Sequence, residues 1–149
     1  MELILIDSNV LIYAYDIRDE LRQERAQAVI EAIGLAGNGR LSAQCLSEFF
    51  ARITRKPAPL LIVKEAAQQT MLLSTTFSVY PVTPQVVLEA IRGVRDHQFS
   101  FWDAQIWAAA RLNQVPVVFS EDFNSGSMVE GVRFINPLTA DFNLAEWIS

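Results

Sequence analysis

The stretch LILIDSNVLIYAY, from Leu3 to Tyr15, decides the fold. Four apolar residues lead straight into a carboxylate, Asp7. Two small polar residues follow, Ser8 and Asn9, and the hydrophobic character resumes at once. A short apolar run without alternation reads as a strand buried on both faces, the kind found in parallel sheets. An unpaired carboxylate is costly to bury, whereas the C-terminal end of a parallel strand opens on a crevice where ligands sit. Asp7 therefore belongs at a sheet edge, and Asn9 is a candidate cap for a short helix over Val10 to Tyr15.

Working outward, Asp19 caps the helix ELRQERAQAVIEAI, whose apolar residues Leu21, Ala28, Val29, Ala32 and Ile33 fall on one face. The three glycines of GLAGNG end it. RLSAQ reads as a second strand entering the helix CLSEFFARITR, which stops before Pro57 and Pro59. Leu60 to Ser74 is helical by composition. FSVYPVT is alternating and β-branched, a strand ending near Val82. Thr83 and Pro84 open the next helix, to about Asp96. FWDAQIWAAARLN, from Phe101 to Asn113, is the most apolar helix. VPVVFS is a strand, EDFNSGSMVEG a glycine-rich polar loop, VRFIN a last strand, and Pro137 begins a tail without periodicity. Strands alternating with helices predict a single α/β domain over residues 1–149, a three-layer α/β/α sandwich around a mainly parallel sheet.

With 51% hydrophobic and 19% charged residues, the chain can fill such a core and is not disordered. Its net charge of −5 argues against a broad basic field for nucleic acid, so a polyanion would have to be met by a local patch, a metal, or both. Cys45 is the single cysteine, which excludes an intramolecular disulfide and suggests a reducing compartment. No basic n-region or membrane-length apolar run is present, so a soluble cytoplasmic protein is expected, with no membrane partner.

Glu20, Glu24, Glu31, Glu65 and Glu89 sit where solvated helix faces put acids. Four others do not. Asp7 and Asp122 follow strands. Glu48 lies among Cys45, Leu46, Phe49 and Phe50, and Asp103 opens the most apolar helix. Strand C-termini and the helix N-termini that follow them share one edge, so all four can converge. Clustered carboxylates repel one another unless a cation compensates, and oxygen donors suit Mg²⁺ or Mn²⁺.

The segments LIDSNVLIYAY, LSEFF, FWDAQIWAAA and VVFSEDFNSG resemble, in order, the four acidic motifs of the PIN-domain family, and within it the VapC-type toxins of prokaryotic toxin–antitoxin pairs. The resemblance covers nearly the whole chain. It implies that Asp7, Glu48, Asp103 and Asp122 are the catalytic and metal-holding acids, with Asn9 and Ser120 in support. It further implies an endoribonuclease that uses Mg²⁺ or Mn²⁺ to activate water against RNA, commonly a homodimer neutralised by a small antitoxin. Glu121 and Asp122 adjoin; Asp122 is favoured because it keeps the one-residue gap after Ser120.

Arg52, Arg55 and Lys56, and separately Arg92 and Arg95, are candidate RNA contacts, though pairs one turn apart also suit a solvated face. Phe101 and Trp102 flank Asp103 and could stack on a base or fill a core or dimer contact. They and EFFARI suggest more apolar surface than one core buries. His97, the only histidine, has no Asp–Ser pair beside it. A PIN fold without catalysis is the main competing reading, set against by four filled acidic positions. A phosphoacceptor receiver domain fits less well, because the N-terminal strand end offers one acid and no lysine follows Lys64.

Overall fold

A computed structural model describes all residues, 1–149. Its elements run β1 (Ile4–Ile6), α1 (Ser8–Tyr13), α2 (Glu20–Ala36), β2 (Gly39–Ser42), α3 (Ala43–Ile53), α4 (Val63–Thr76), β3 (Ser78–Tyr80), α5 (Pro84–His97), α6 (Phe101–Leu112), β4 (Val117–Phe119), β5 (Met128–Val129) and β6 (Val132–Ile135), with a final 3-10 turn at Leu144–Trp147. The sheet order is β3-β2-β1-β4-β6-β5, parallel except for β5. The α/β reading of the sequence holds. No helix is long and apolar enough to cross a membrane.

From β1 the chain steps outward to β2 and β3, then crosses back to β4 on the other side of β1. Right-handed crossovers running in opposite directions cover opposite faces, and β1–β4 becomes the switch point where an open sheet presents its crevice. All three residues of β1 are fully buried, as the unbroken apolar run requires. Two hydrogen bonds pin the strand ends at the switch: Asp7 N–H to the Phe119 carbonyl at 2.9 Å, and Ser120 N–H to the Ile135 carbonyl at 2.9 Å.

Several local expectations are corrected. Asp7, not Asn9, is the N-cap of α1, accepting from Ser8 N–H, and the helix begins one residue after the strand. Helix α2 buries Ala26, Val29 and Ile33, while Leu21 is 55% exposed and Ala28 also faces solvent. It runs on to Ala36, and Gly37 closes it in the left-handed conformation at φ 80°. Helix α4 starts at Val63 because the Leu60 and Leu61 N–H groups are drawn back to the Ile53 carbonyl, at 2.8 and 3.2 Å. The polar loop after β4 contains β5, a two-residue strand turned onto β6 through Glu130 and Gly131, both at positive φ. The tail packs Phe142 and Trp147 edge-on against Phe119. Gly39 lets β2 pass beneath α2: a Cβ there would lie 2.5 Å from Phe77 Cε1 and 2.7 Å from Ile33 Cγ2.

Candidate active site at the switch point

Asp7 stands at the C-terminal end of β1, only 3% exposed. One carboxylate oxygen accepts from Ser8 N–H at 2.7 Å, and the other accepts from the Ser120 hydroxyl at 2.8 Å. Burial dominates its titration and, with the charges of Asp122 and Glu48, outweighs these two hydrogen bonds, pushing the carboxyl up to about 7. Asp103, in the first turn of α6, is also raised, first by burial and then by the same two acids. The sheet edge therefore brings the four predicted acids into one electrostatic neighbourhood.

Ser120 links the strand ends. Its oxygen accepts from Asn9 Nδ2 at 3.1 Å and from Asp122 N–H at 3.1 Å while it donates to Asp7. Asn9 completes the bracket by accepting from Glu121 N–H at 3.3 Å. Asn9 and Ser120 thus hold the chain after β4 against the start of α1. Glu121 is engaged elsewhere: its carboxylate pairs with Arg22 of α2 at 3.0 Å. That leaves Asp122 as the member of the adjacent pair whose charge bears on Asp7 and Asp103.

Three supports were not singled out from the sequence. Ser8, between the two motif residues Asp7 and Asn9, donates its hydroxyl to Glu48 at 3.0 Å and ties α3 to α1. Gln105 donates to Gln44 at 2.7 Å, and Gln44 donates to the Trp102 carbonyl at 3.1 Å; this buried amide pair sets the first turn of α6 against α3. Arg22 is the third. Only Ser8 carried a signal, its place inside the first motif; long-range amide and ion pairs leave none.

The other candidates take other roles. Arg92 is bound by Glu89 at 2.6 Å and Glu130 at 2.9 Å, and Arg95 by Asp96 at 2.8 Å. Glu89 is no solvated acid: its side chain is 13% exposed and also accepts from Arg111 at 2.6 Å. His97 pairs with Glu130 at 2.5 Å beside Trp107. Trp102 is 61% exposed and outside the core. Cys45 is fully buried, and burial pushes its thiol up to about 12, so it behaves as a small hydrophobe.

The donor set suits a hard divalent cation: oxygen ligands only, two of them with carboxyls raised by burial and by the charges of Asp122 and Glu48. As the side chains stand, no three Asp, Glu, His or Cys groups are gathered tightly enough to cage an ion. Mg²⁺ does not need such a cage, since it keeps several waters and takes as few as one or two carboxylates.

An open α/β sheet with an acidic crevice at its switch point defines the class. The PIN domain model matches residues 4–125, and the chain belongs to that family. Among solved structures, it is similar to VapC20 of Mycobacterium tuberculosis, described as a sarcin-ricin loop cleaving toxin, at 23% identity and TM-score 0.64, covering 87% of this chain and 98% of that one. It is also similar to a toxin–antitoxin complex from Klebsiella pneumoniae, at 17% identity and TM-score 0.67 with 90% and 97% covered. A third is DNA-bound VapBC of Salmonella typhimurium, at 15% identity and TM-score 0.63 with 90% and 97% covered. No curated protein matches the chain in sequence.

Proposed function

We propose that this protein is a Mg²⁺- or Mn²⁺-dependent endoribonuclease, the toxin of a toxin–antitoxin pair. The observation that carries the reading is Asp7: a buried carboxylate at the sheet's switch point, raised to about 7 and sharing its edge with three other acids. Nothing in the fold requires an ionisable group there, since Asn or Ser would cap α1 as well.

Asp7, Glu48, Asp103 and Asp122 would hold the cation. When bound, it would supply Lewis-acid charge to the phosphodiester and acidify a water for in-line attack. The chain's own residues do the positioning. Ser120 fixes one Asp7 oxygen and Ser8 N–H the other, leaving each a second lone pair for a ligand. Ser8 orients Glu48, and Asn9 with Ser120 sets the backbone from which Asp122 projects.

An antitoxin partner is supported by the toxin–antitoxin complexes among the similar structures and by an apolar groove. The groove, about 440 Å³, runs past Ala14, Tyr15, Ile30, Leu60, Leu61 and Leu73. An apolar helix or strand of the partner fits it, with an Arg or Lys reaching the acids to exclude the cation.

The test is cleavage of a structured RNA by purified protein in Mg²⁺ or Mn²⁺ against excess EDTA, with Asp7→Asn as the control. Metal-dependent cleavage lost in the folded variant is expected. Cleavage that persists in EDTA or in Asp7→Asn refutes the mechanism, and no cleavage of any RNA leaves a PIN fold that only binds.

A further inference from the structure

The twelve basic side chains sort into three groups. Six arginines pair with acids, namely Arg18, Arg22, Arg92, Arg95, Arg111 and Arg133. Arg25 and Arg40 bond backbone carbonyls. The remaining four, Arg52, Arg55, Lys56 and Lys64, have neither kind of partner, and three of them line one pocket. That pocket, about 270 Å³, is walled by Arg52, Arg55 and Lys56, by Arg18, and by Ile12 and Leu60, with no acid in its lining. Packing three unpartnered cations together on a chain of net charge −5 is repulsive and serves no contact in the fold.

Its position relates it to the acidic edge. Ser8, the first residue of α1, meets Glu48 in the middle of α3 through a 3.0 Å hydrogen bond. Ile12 and Arg52 lie four residues further along the same two helices, hence on the same faces and about 6 Å away along the axis. The pocket is thus the next turn of the surface that starts at Glu48.

We propose that this pocket binds backbone phosphate of single-stranded RNA beside the scissile position, and that it sets the path of the strand out of the acidic site; the proposal rests on the ribonuclease reading. Arginine forks at Arg52 and Arg55 suit bidentate phosphate contacts, and Lys56 adds a point charge. Arg18 is shared with Asp16 and contributes less.

The three cations are exposed and have no partners, so their removal leaves the fold intact, which circular dichroism would check. Binding of a labelled 12-nucleotide single-stranded RNA is followed by anisotropy across a NaCl series, in the full chain carrying Asp7→Asn to prevent cleavage. Adding Arg52→Ala, Arg55→Ala and Lys56→Ala should weaken binding and flatten the slope of log affinity against log salt by about 2, three contacts at about 0.7 each. The background protein should therefore lose roughly 15- to 20-fold more affinity than the triple variant between 50 and 200 mM NaCl. Lys64→Ala should change neither. An unchanged slope, or no RNA binding by the background protein, overturns the proposal. So does a variant that loses a partner protein while RNA binding is kept. The two readings fail separately: salt-dependent binding through the pocket without cleavage by the wild-type chain removes the ribonuclease and keeps the pocket. Cleavage that the triple variant matches in KM and salt dependence does the reverse.

Discussion

Replacing Asp7 by Asn should make the metal-free protein more stable, by an amount that depends on pH. In the folded chain the Asp7 carboxyl is raised from 3.8 to about 7, chiefly by burial. A raised acid binds its proton more tightly in the folded state than in the unfolded one. Its contribution to stability is therefore full below pH ~4 and is lost as pH rises towards 7, reaching a plateau above it. Three pKa steps at about 1.4 kcal/mol each give a cost of about 4 kcal/mol at pH 8, of which about 1.5 is already present at pH 5. Asn keeps the acceptor that caps α1 for Ser8 N–H. It loses the bond from the Ser120 hydroxyl, which is worth about 1 kcal/mol at either pH. The variant should exceed the wild type by about 2–3 kcal/mol more at pH 8 than at pH 5. Urea unfolding of both proteins in EDTA at the two pH values measures this, and other titrating groups cancel in the difference. A pH-independent difference, or a variant whose advantage grows towards acid, would falsify the account of Asp7 as a carboxylate held against its will.

Saturating Mg²⁺ should stabilise the wild type by about 1–3 kcal/mol and Asp7→Asn far less; equal thermal shifts would remove Asp7 from the ion's surroundings. Asp122→Asn should lower cleavage at least about 100-fold, whereas Glu121→Gln, which disturbs the partly exposed Arg22 pair, should stay near wild type in rate and stability; the reverse ranking of the two rates would transfer the fourth acid to Glu121. Gly93→Ala would set a Cβ 2.8 Å from Trp107 Cζ3 between α5 and α6, so urea melts should show a loss of about 1–3 kcal/mol. A homodimer is expected through the apolar face that α5 leaves open, Leu88 at 66% and Ile91 at 52% exposed. Light scattering should give twice the chain mass for the wild type and the single mass for Leu88→Asp/Ile91→Asp, and a monomeric wild type at micromolar concentration contradicts it.

The strand and helix order was legible because each element carries its own signal: an unbroken apolar run for β1, Thr83 and Pro84 before α5, Gly37 after α2. The failures share a cause. Asp7 and Asn9 are equally good caps two residues apart, and the choice falls to Asp7 because the Phe119 carbonyl holds its N–H as the last rung of the sheet. Strand β5 has two residues, too few for a period, and exists because Glu130 and Gly131 turn the chain back onto β6. On α2, Val29 and Ile33 are buried as their spacing predicts, but Leu21 and Ala28 are exposed and Ala26 takes their place, because that helix has almost no amphipathic contrast. Of the candidate site, the gathering of the acids at one edge was readable, since a carboxylate after a buried strand or opening an apolar helix is costly without a use. What aligns them was not readable: Gln44 and Gln105 are 61 residues apart and Arg22 and Glu121 are 99 apart, and such polar pairs leave no periodicity.

The two arginine pairs show where a sequence stops deciding. Arg52 with Arg55, and Arg92 with Arg95, have the same spacing on a helix and the same candidate role. The second pair is neutralised from three directions. Glu89 lies one turn back on α5, Asp96 lies beside it, and Glu130 comes from the β5–β6 turn, where the Trp107 indole also donates to the Val129 carbonyl. The cluster is a clamp between α5, α6 and the sheet's far edge, and Arg92, His97 and, from α6, Arg111 hold Glu130 down to about 2. No element brings an acid to Arg52, Arg55 or Lys56. Net charge sums over the whole chain, but at physiological salt a phosphate responds to charges within about 8 Å. An acidic protein can therefore hold a polyanion where three cations stand unpaired, provided the acids one helical turn away are compensated. In the proposed mechanism that condition couples the pocket to the cation: with the edge uncompensated, the four acids would repel the strand that the pocket is proposed to guide.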